Sequence, residues 1–178
     1  VKVLLERGAD FDKVRDDDGV VPLIIASHYG HMEIVKVLLE GGADIDNAMD
    51  GGATPLIIAS HEGHVEVVKV LLERGADIDK AADDEATPLL MTSQNGHMEV
   101  VKVLLEGGAD TDKVEDGGAT PLIRASQEGH VEIVKVLLEG GADVDNAMDG
   151  GYTPLYIASQ NGHMEVVKIL LERGADID

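Results

Sequence analysis

Apolar residues recur along this chain at the spacing of short amphipathic helices, and the same helices return several times. In Met98-Glu99-Val100-Val101-Lys102-Val103-Leu104-Leu105-Glu106, the side chains of Val101, Leu104 and Leu105 share one stripe, while Glu99 and Lys102 lie three apart on the polar face. That pattern predicts a helix buried along one side. Ahead of it stands a shorter run opened by Thr-Pro, at Thr87-Pro88. Thr can cap a helix, and Pro suits the first helical position, where its missing N–H costs nothing. The Gly of a Gly-His pair ends this first helix after about two turns, and the second helix begins near the His. A Gly such as Gly108 then supplies a left-handed cap. Asp-Gly-Gly stretches, as in Met49-Asp50-Gly51-Gly52, read as tight turns between successive helix pairs.

The pairs return at a fixed period. Pro22, Pro55, Pro88, Pro121 and Pro154 stand 33 residues apart and are the only prolines. Thr precedes four of them, and Val21 takes the remaining place. Gly-His follows each Pro, its His nine residues on, and Gly-Ala-Asp closes each unit. The units parse as 13–46, 47–79, 80–112, 113–145 and 146–178, after a partial unit at 1–12. The first full unit carries one extra residue, in the stretch Lys13–Gly19. Self-similarity at such a period marks a stacked repeat architecture, here one solenoid over residues 1–178.

Thr-Pro-Leu-x-x-Ala, Gly-His-x-Glu-x-Val and Leu-Leu-x-x-Gly-Ala-Asp at this period resemble the ankyrin repeat, over all of residues 13–178. The resemblance implies an all-α solenoid of stacked helix-turn-helix units with projecting β-turns. It also implies that protein partners are held on the concave side and at the turn tips. Some positions depart from the family pattern. The His usual after Thr-Pro-Leu is Ile24, Ile57, Leu90, Ile123 or Tyr156, which would loosen the turn slightly and add apolar packing. The closing Asn is Asp (Asp46, Asp79, Asp112, Asp145, Asp178). The third unit has Asp83-Asp84-Glu85 in place of Asp-Gly-Gly, and Thr92 where the others have Ala.

Composition narrows what such a stack can be. One Phe, three Tyr and no Trp leave an aliphatic core, workable where thin layers of small and medium side chains stack repeatedly. A hydrophobic content of 44% argues against disorder. The formal net charge of −21 repels phosphate backbones and anionic membranes, so neither nucleic acid nor membrane is an expected partner. A protein or peptide is, and a basic one would be drawn in faster. The same charge is also what keeps a long apolar stack in solution. There are no cysteines, which removes disulfides, thiolate metal sites and cysteine nucleophiles. No apolar run approaches the ~20 residues of a membrane span, and no signal-peptide pattern opens the chain. Val1 is not an initiator Met, so the chain is expected to begin inside a unit, and an intracellular setting, cytoplasmic or nuclear, is expected.

Catalytic and metal chemistry find no support in these residues. His31, His64, His97, His130 and His163 recur once per unit at a helix start, and a residue repeated at every period answers a structural need. Hydrogen bonds near the helix entry and towards the neighbouring unit are expected of them. His61-Glu62-Gly63-His64 superficially matches a zinc-protease helix, but its His residues are three apart and Gly interrupts the helix. His28 and His61 occupy equivalent places in adjacent units, at an expected ring spacing near the ~8–10 Å of packed helices, too far to share an ion unaided. The acidic stretch from Asp44 to Gly51 fails as a calcium loop, since Pro55 stands where the bidentate Glu belongs. The expectation is therefore no enzyme, no cofactor and no metal.

Function is expected where units differ. On the first helices, one face reads Ile25/His28/Tyr29, Ile58/His61/Glu62, Met91/Gln94/Asn95, Arg124/Gln127/Glu128 and Ile157/Gln160/Asn161. By resemblance it lines the concave groove. Its apolar row is either packing between first helices or a binding strip. Arg124 breaks that row, as an interface anchor or as an intrahelical partner of Glu128. Tyr152 varies at a turn tip. The candidate partner-binding residues are Tyr29, Ile58, Met91, Arg124, Ile157 and Tyr152. The expected role is a non-catalytic protein-interaction module or scaffold. Alternatives are an engineered or excised repeat scaffold without an evolved partner, and the interaction part of a larger enzyme or effector. Internal-type residues in the last unit predict a sticky end and weak end-to-end self-association, and the short helix at Val1–Glu6 predicts fraying over residues 1–10.

Folding draws the acidic turns and unit ends together. The urea midpoint should therefore rise as NaCl increases from low to physiological ionic strength, where the Debye length is about 8 Å. Urea titrations at several salt concentrations measure this. A flat or falling midpoint would mean that pairs such as Glu99–Lys102 already balance the field.

Overall fold

The structure, a computed structural model, describes residues 19–177. The partial unit, the expected fraying and all of the inserted stretch but Gly19 lie outside them. Ten helices among the described residues form five pairs. They are α1 (Pro22–His28) with α2 (Met32–Glu40), α3 (Pro55–His61) with α4 (Val65–Glu73), and α5 (Pro88–Asn95) with α6 (Met98–Glu106). Then follow α7 (Pro121–Glu128) with α8 (Val131–Glu139), and α9 (Pro154–Gln160) with α10 (Met164–Glu172). The fold is an all-α stack of helix pairs.

Each first helix starts as its residues dictate. The hydroxyls of Thr54, Thr87, Thr120 and Thr153 accept the backbone N–H three residues on, at 3.2–3.3 Å, and Pro follows. Val21 has no oxygen to offer, and α1 has no side-chain cap. Helices α5 and α7 end on left-handed Gly96 and Gly129, whereas α1, α3 and α9 close one residue earlier, at Tyr29, Glu62 and Asn161.

Stacking buries both flanks of every internal second helix. Val101 and Leu104 are fully buried as the stripe predicts, but Leu105 is only half-buried. Val100, off the predicted stripe, is also fully buried. The end pairs explain why. Ile34 is exposed and Val167 only partly buried, while their internal counterparts (Val67, Val100 and Ile133 for the first; Val68, Val101 and Val134 for the second) are buried. One flank thus faces the preceding pair and the other the following pair. The resulting core is a single apolar cluster from Val21 to Ala175.

The recurrent His residues tie the pairs together. Nε2 of His64, His97, His130 and His163 donates to the carbonyl of His28, His61, Gln94 and Gln127 respectively, at 2.8–3.0 Å. A carbonyl only accepts, so Nε2 carries the proton. Each ring lies on the Gly of the preceding pair. A Cβ at Gly63 would sit 2.6 Å from His97 Nδ1, so that position needs Gly for clearance as well as for its φ of 76°.

The segments between pairs form a second seam. Their tips are joined by Asp83 N–H to Gly51 O (3.0 Å), Asp116 N–H to Asp84 O (2.9 Å) and Asp149 N–H to Gly117 O (2.9 Å). The closing Asp residues have a structural use: the carboxylates of Asp46, Asp79, Asp112 and Asp145 accept the N–H of Asp77, Asp110, Asp143 and Asp176. An acceptor is all that this contact requires, so Asp serves. At the usual-His positions, Ile24, Ile57, Leu90 and Ile123 are buried, while Tyr156 is half-exposed. Thr92 is buried and donates its hydroxyl to His97 O at 3.2 Å.

Two features work against stability. Glu85 has a φ of 63°, where Gly52, Gly118 and Gly151 stand in the other turns, and a left-handed residue with a Cβ costs about 1–2 kcal/mol. Ser27, Ser60, Ser93 and Ser126 are fully buried with no partner for their hydroxyls. Glu85→Gly should stabilise the chain by about 0.5 kcal/mol after the entropy of an added Gly is discounted. Glu85→Ala removes the charge and keeps the strain, so an equal gain from it would refute the backbone explanation. Ser60→Ala and Ser93→Ala should each stabilise by about 1 kcal/mol, because a buried unsatisfied hydroxyl is lost. Ser159→Ala, at the exposed equivalent in the last pair, should change little. Urea denaturation of these variants decides both points.

Candidate functional site: the face of the first helices

Neighbouring first helices approach one another more closely than neighbouring second helices. The stack therefore bends with the first helices on its inner side. The candidate residues on those helices lie along this side. Ile58, Met91, Arg124 and Ile157 are each partly exposed, and Ile25 is more so. The apolar row is thus shared between packing and solvent. Tyr29 ends α1 with 61% of its surface exposed, edge-on to His28 and stacked over His31 at 5.9 Å. Tyr152 stands apart from the others on the last turn, its ring 4.9 Å from that of Tyr156.

One expectation is corrected here, that of Arg124. Glu62 lies between His28 and His61. One carboxylate oxygen lies 3.4 Å from His28 Nδ1 and 3.0 Å from His61 Nδ1. Even so, no group of three or more His, Asp or Glu is placed to hold a metal ion among the described residues. Arg124 does not pair with Glu128. Its guanidinium bonds Glu115, on the turn of the same unit, and donates to Gln127 Oε1 at 2.9 Å, while Gln127 in turn donates to Glu128. The Arg124 Nε is buried without a partner.

Glu115 was missed by sequence reasoning, although the sequence carried a signal. Its counterparts are Met49, Ala82 and Met148, and those of Arg124 are Ile58, Met91 and Ile157. Both charged replacements occur in the same unit, as a compensating pair would. The geometry fits that explanation: both side chains are largely buried, so neither charge is tolerable alone. Asn95 and Asn161 are likewise engaged, donating to Met91 O at 2.9 Å and Gln127 O at 3.0 Å.

Charge is segregated around this face. On the second helices, Glu33–Lys36, Glu66–Lys69, Glu99–Lys102, Glu132–Lys135 and Glu165–Lys168 pair at 2.6–3.0 Å. The hydrogen bond and charge of Glu66 hold the Lys69 ammonium above its ordinary pKa. These pairs are exposed and worth only tenths of a kcal/mol each. The turn edge carries the surplus acid: Asp50, Asp83, Asp84, Glu85, Asp116 and Asp149 at the tips, and the Asp residues of the closing segments behind them.

Among the described residues no helix is long and apolar enough to cross a membrane. No curated protein matches the chain. A family profile described as "Ankyrin repeats (3 copies)" matches residues 1–82 and 89–178. Repeats of this kind are generally protein-interaction modules and typically non-catalytic. The stacked helix pairs and this match agree, and the chain belongs to the ankyrin repeat family.

Proposed function

We propose that the chain is a non-catalytic interaction module or scaffold whose units, bounded as the 33-residue period divides them, bind one protein or peptide along the inner face and the turn tips. The observation that carries this reading is the individuality of that face. Every internal pair repeats the same buried Leu and Val and the same His–carbonyl tie, while the inner side changes from Ile and Tyr to Met, Arg and Gln. A feature needed only for stacking would be periodic, and these residues are not. The partly exposed Ile58, Met91 and Ile157 offer apolar contact, and Tyr29, Arg124 and Tyr152 offer the side chains that most often anchor interfaces.

Arg124 is fixed in advance. Glu115 and Gln127 restrain its guanidinium, so little side-chain entropy remains to be lost when a partner arrives. The acidic turn edge favours a partner with basic residues beside its apolar contacts.

The test is to isolate partners by cross-linked affinity capture and to titrate each against alanine variants. Arg124→Ala should weaken binding by more than about 1 kcal/mol, and Tyr29→Ala, Met91→Ala and Tyr152→Ala should each weaken it measurably. A partner whose affinity is unchanged by all four variants would refute this map of the site. Association should also slow as salt is raised if the partner is basic.

A further inference from the structure

We propose that the outer side of the stack holds an open seat for an arginine side chain of another protein, between the C-terminal ends of α6 and α8. This seat is apart from the inner face and does not depend on the reading above. The stack itself shows what such a seat holds. Arg74, just past α4, reaches Glu40 at the end of α2 (3.4 Å), and Arg173, just past α10, reaches Glu139 at the end of α8 (3.1 Å). After α6 and α8 the same position is glycine, at Gly107 and Gly140. Glu73 and Glu106, the acids that an arginine there would meet, form no ion pair among the described residues. The charge of Glu106 reaches Lys69, but Lys69 bonds Glu66. Val70, one turn before Arg74, is buried, whereas Val103 and Val136, one turn before the glycines, are partly exposed. That difference is what the methylene stem of an arginine makes by lying along apolar surface with its head in water.

Of the two glycine positions, Gly140 is the open one. A Cβ on Gly107 would stand 2.8 Å from Cδ1 of Ile78, which fills that space. The counterpart of Ile78 in the next unit is Thr111, which is shorter, and the nearest side-chain atom to a Cβ on Gly140 is Leu105 Cδ2 at 3.4 Å. The cleft left there measures about 310 Å³ and is lined by Lys102, Leu105, Glu106, Val136, Glu139 and Gly140. Lys102 is bonded to Glu99 at 2.7 Å and Glu139 to Arg173, so Glu106 is the charge available to an incoming group. Two helices end at this cleft, and the partial negative charge of helix C-termini favours a cation. Leu105 and Val136 supply the apolar bed for a stem. A guanidinium suits the seat better than an ammonium, because its fork can bond a carboxylate and terminal carbonyls together. A second copy of this chain is a poor source of that arginine, because it brings another −21 of charge.

The experiment is an NMR titration of the isotope-labelled 178-residue chain with a blocked alanine–arginine–alanine tripeptide. A second titration uses the same peptide with citrulline, which keeps the shape of arginine and loses its charge. The arginine peptide should shift the amides of Leu105, Glu106, Val136 and Gly140 saturably, and bind about fivefold more tightly than the citrulline one. Gly140→Arg places a guanidinium in the seat from within the chain and should remove those shifts. It leaves the fold intact, because the φ of −75° at Gly140 is open to any residue and Arg74 and Arg173 already stand at this position. Glu106→Gln, which keeps the cleft and removes its charge, should bring the arginine peptide down to the affinity of the citrulline one. Equal binding of the two peptides would overturn the proposal. So would the absence of shifts at the four amides, or shifts there that survive Gly140→Arg.

Discussion

Helices of seven to nine residues are too short to persist in water by themselves, and every helix described in this chain is of that length. Each exists because a neighbour covers it. That dependence explains why Val100 and Val101 are both buried although they are adjacent in sequence and could not both lie on one narrow stripe. A helix inside a stack has two covered flanks, one for each neighbour. It also explains the composition: a layer one helix thick has room for Leu, Val, Ile and Ala, and little for large aromatic rings. The few tyrosines accordingly stand at the ends of the described stack, on α1's cap and in the last pair.

Apolar cover alone would let one pair slide over the next, because a Leu and Val surface has little direction. Direction comes from polar ties repeated at each junction. The imidazole of one pair reaches a carbonyl of the pair before it, and the turn tips exchange backbone bonds. The Asp at the close of one unit accepts an N–H from the next. Each tie satisfies a group that would otherwise be left open where helix ends meet. The ties also consume the side chains most easily mistaken for chemistry. A histidine whose Nε2 must hold a proton for a neighbouring carbonyl is poorly suited to ligate a metal through that nitrogen. The recurrence of His is thus a mark of register.

What the sequence revealed and what it hid divide along the same line. Interactions within one helix pair were legible: the Thr cap, the Pro start and the Glu–Lys pairs involve residues three apart, and spacing alone places them. The His ties were legible in kind, because recurrence at the period pointed to a neighbouring unit. Contacts specific to one unit were harder to read. The partner of Arg124 was sought on its own helix, at Glu128, yet it lies nine residues earlier on the turn, at Glu115. Turn geometry, which sequence spacing does not encode, brings them together. Glu85 was visible as an exception, but only its backbone angle shows that it occupies a glycine's conformation.

A periodic sequence sets the conditions under which its irregularities carry meaning. Where a position must serve the stack, the same few residue types return, and a change is matched by a local remedy: Thr92 finds His97 O, and the closing Asp residues find backbone N–H groups. Glu85 is an exception without such a remedy, and it strains its turn. Arg124 and Glu115 form a third class. They introduce a charge pair into a row that works elsewhere with Met and Ile, so the stack did not require them. A largely buried ion pair gives little stability over apolar residues of similar size, because desolvation offsets the attraction. What it does give is a guanidinium fixed in position on the inner face, with part of its surface still open to an incoming group. Such an arrangement adds almost nothing to folding, and under the function proposed above it serves recognition.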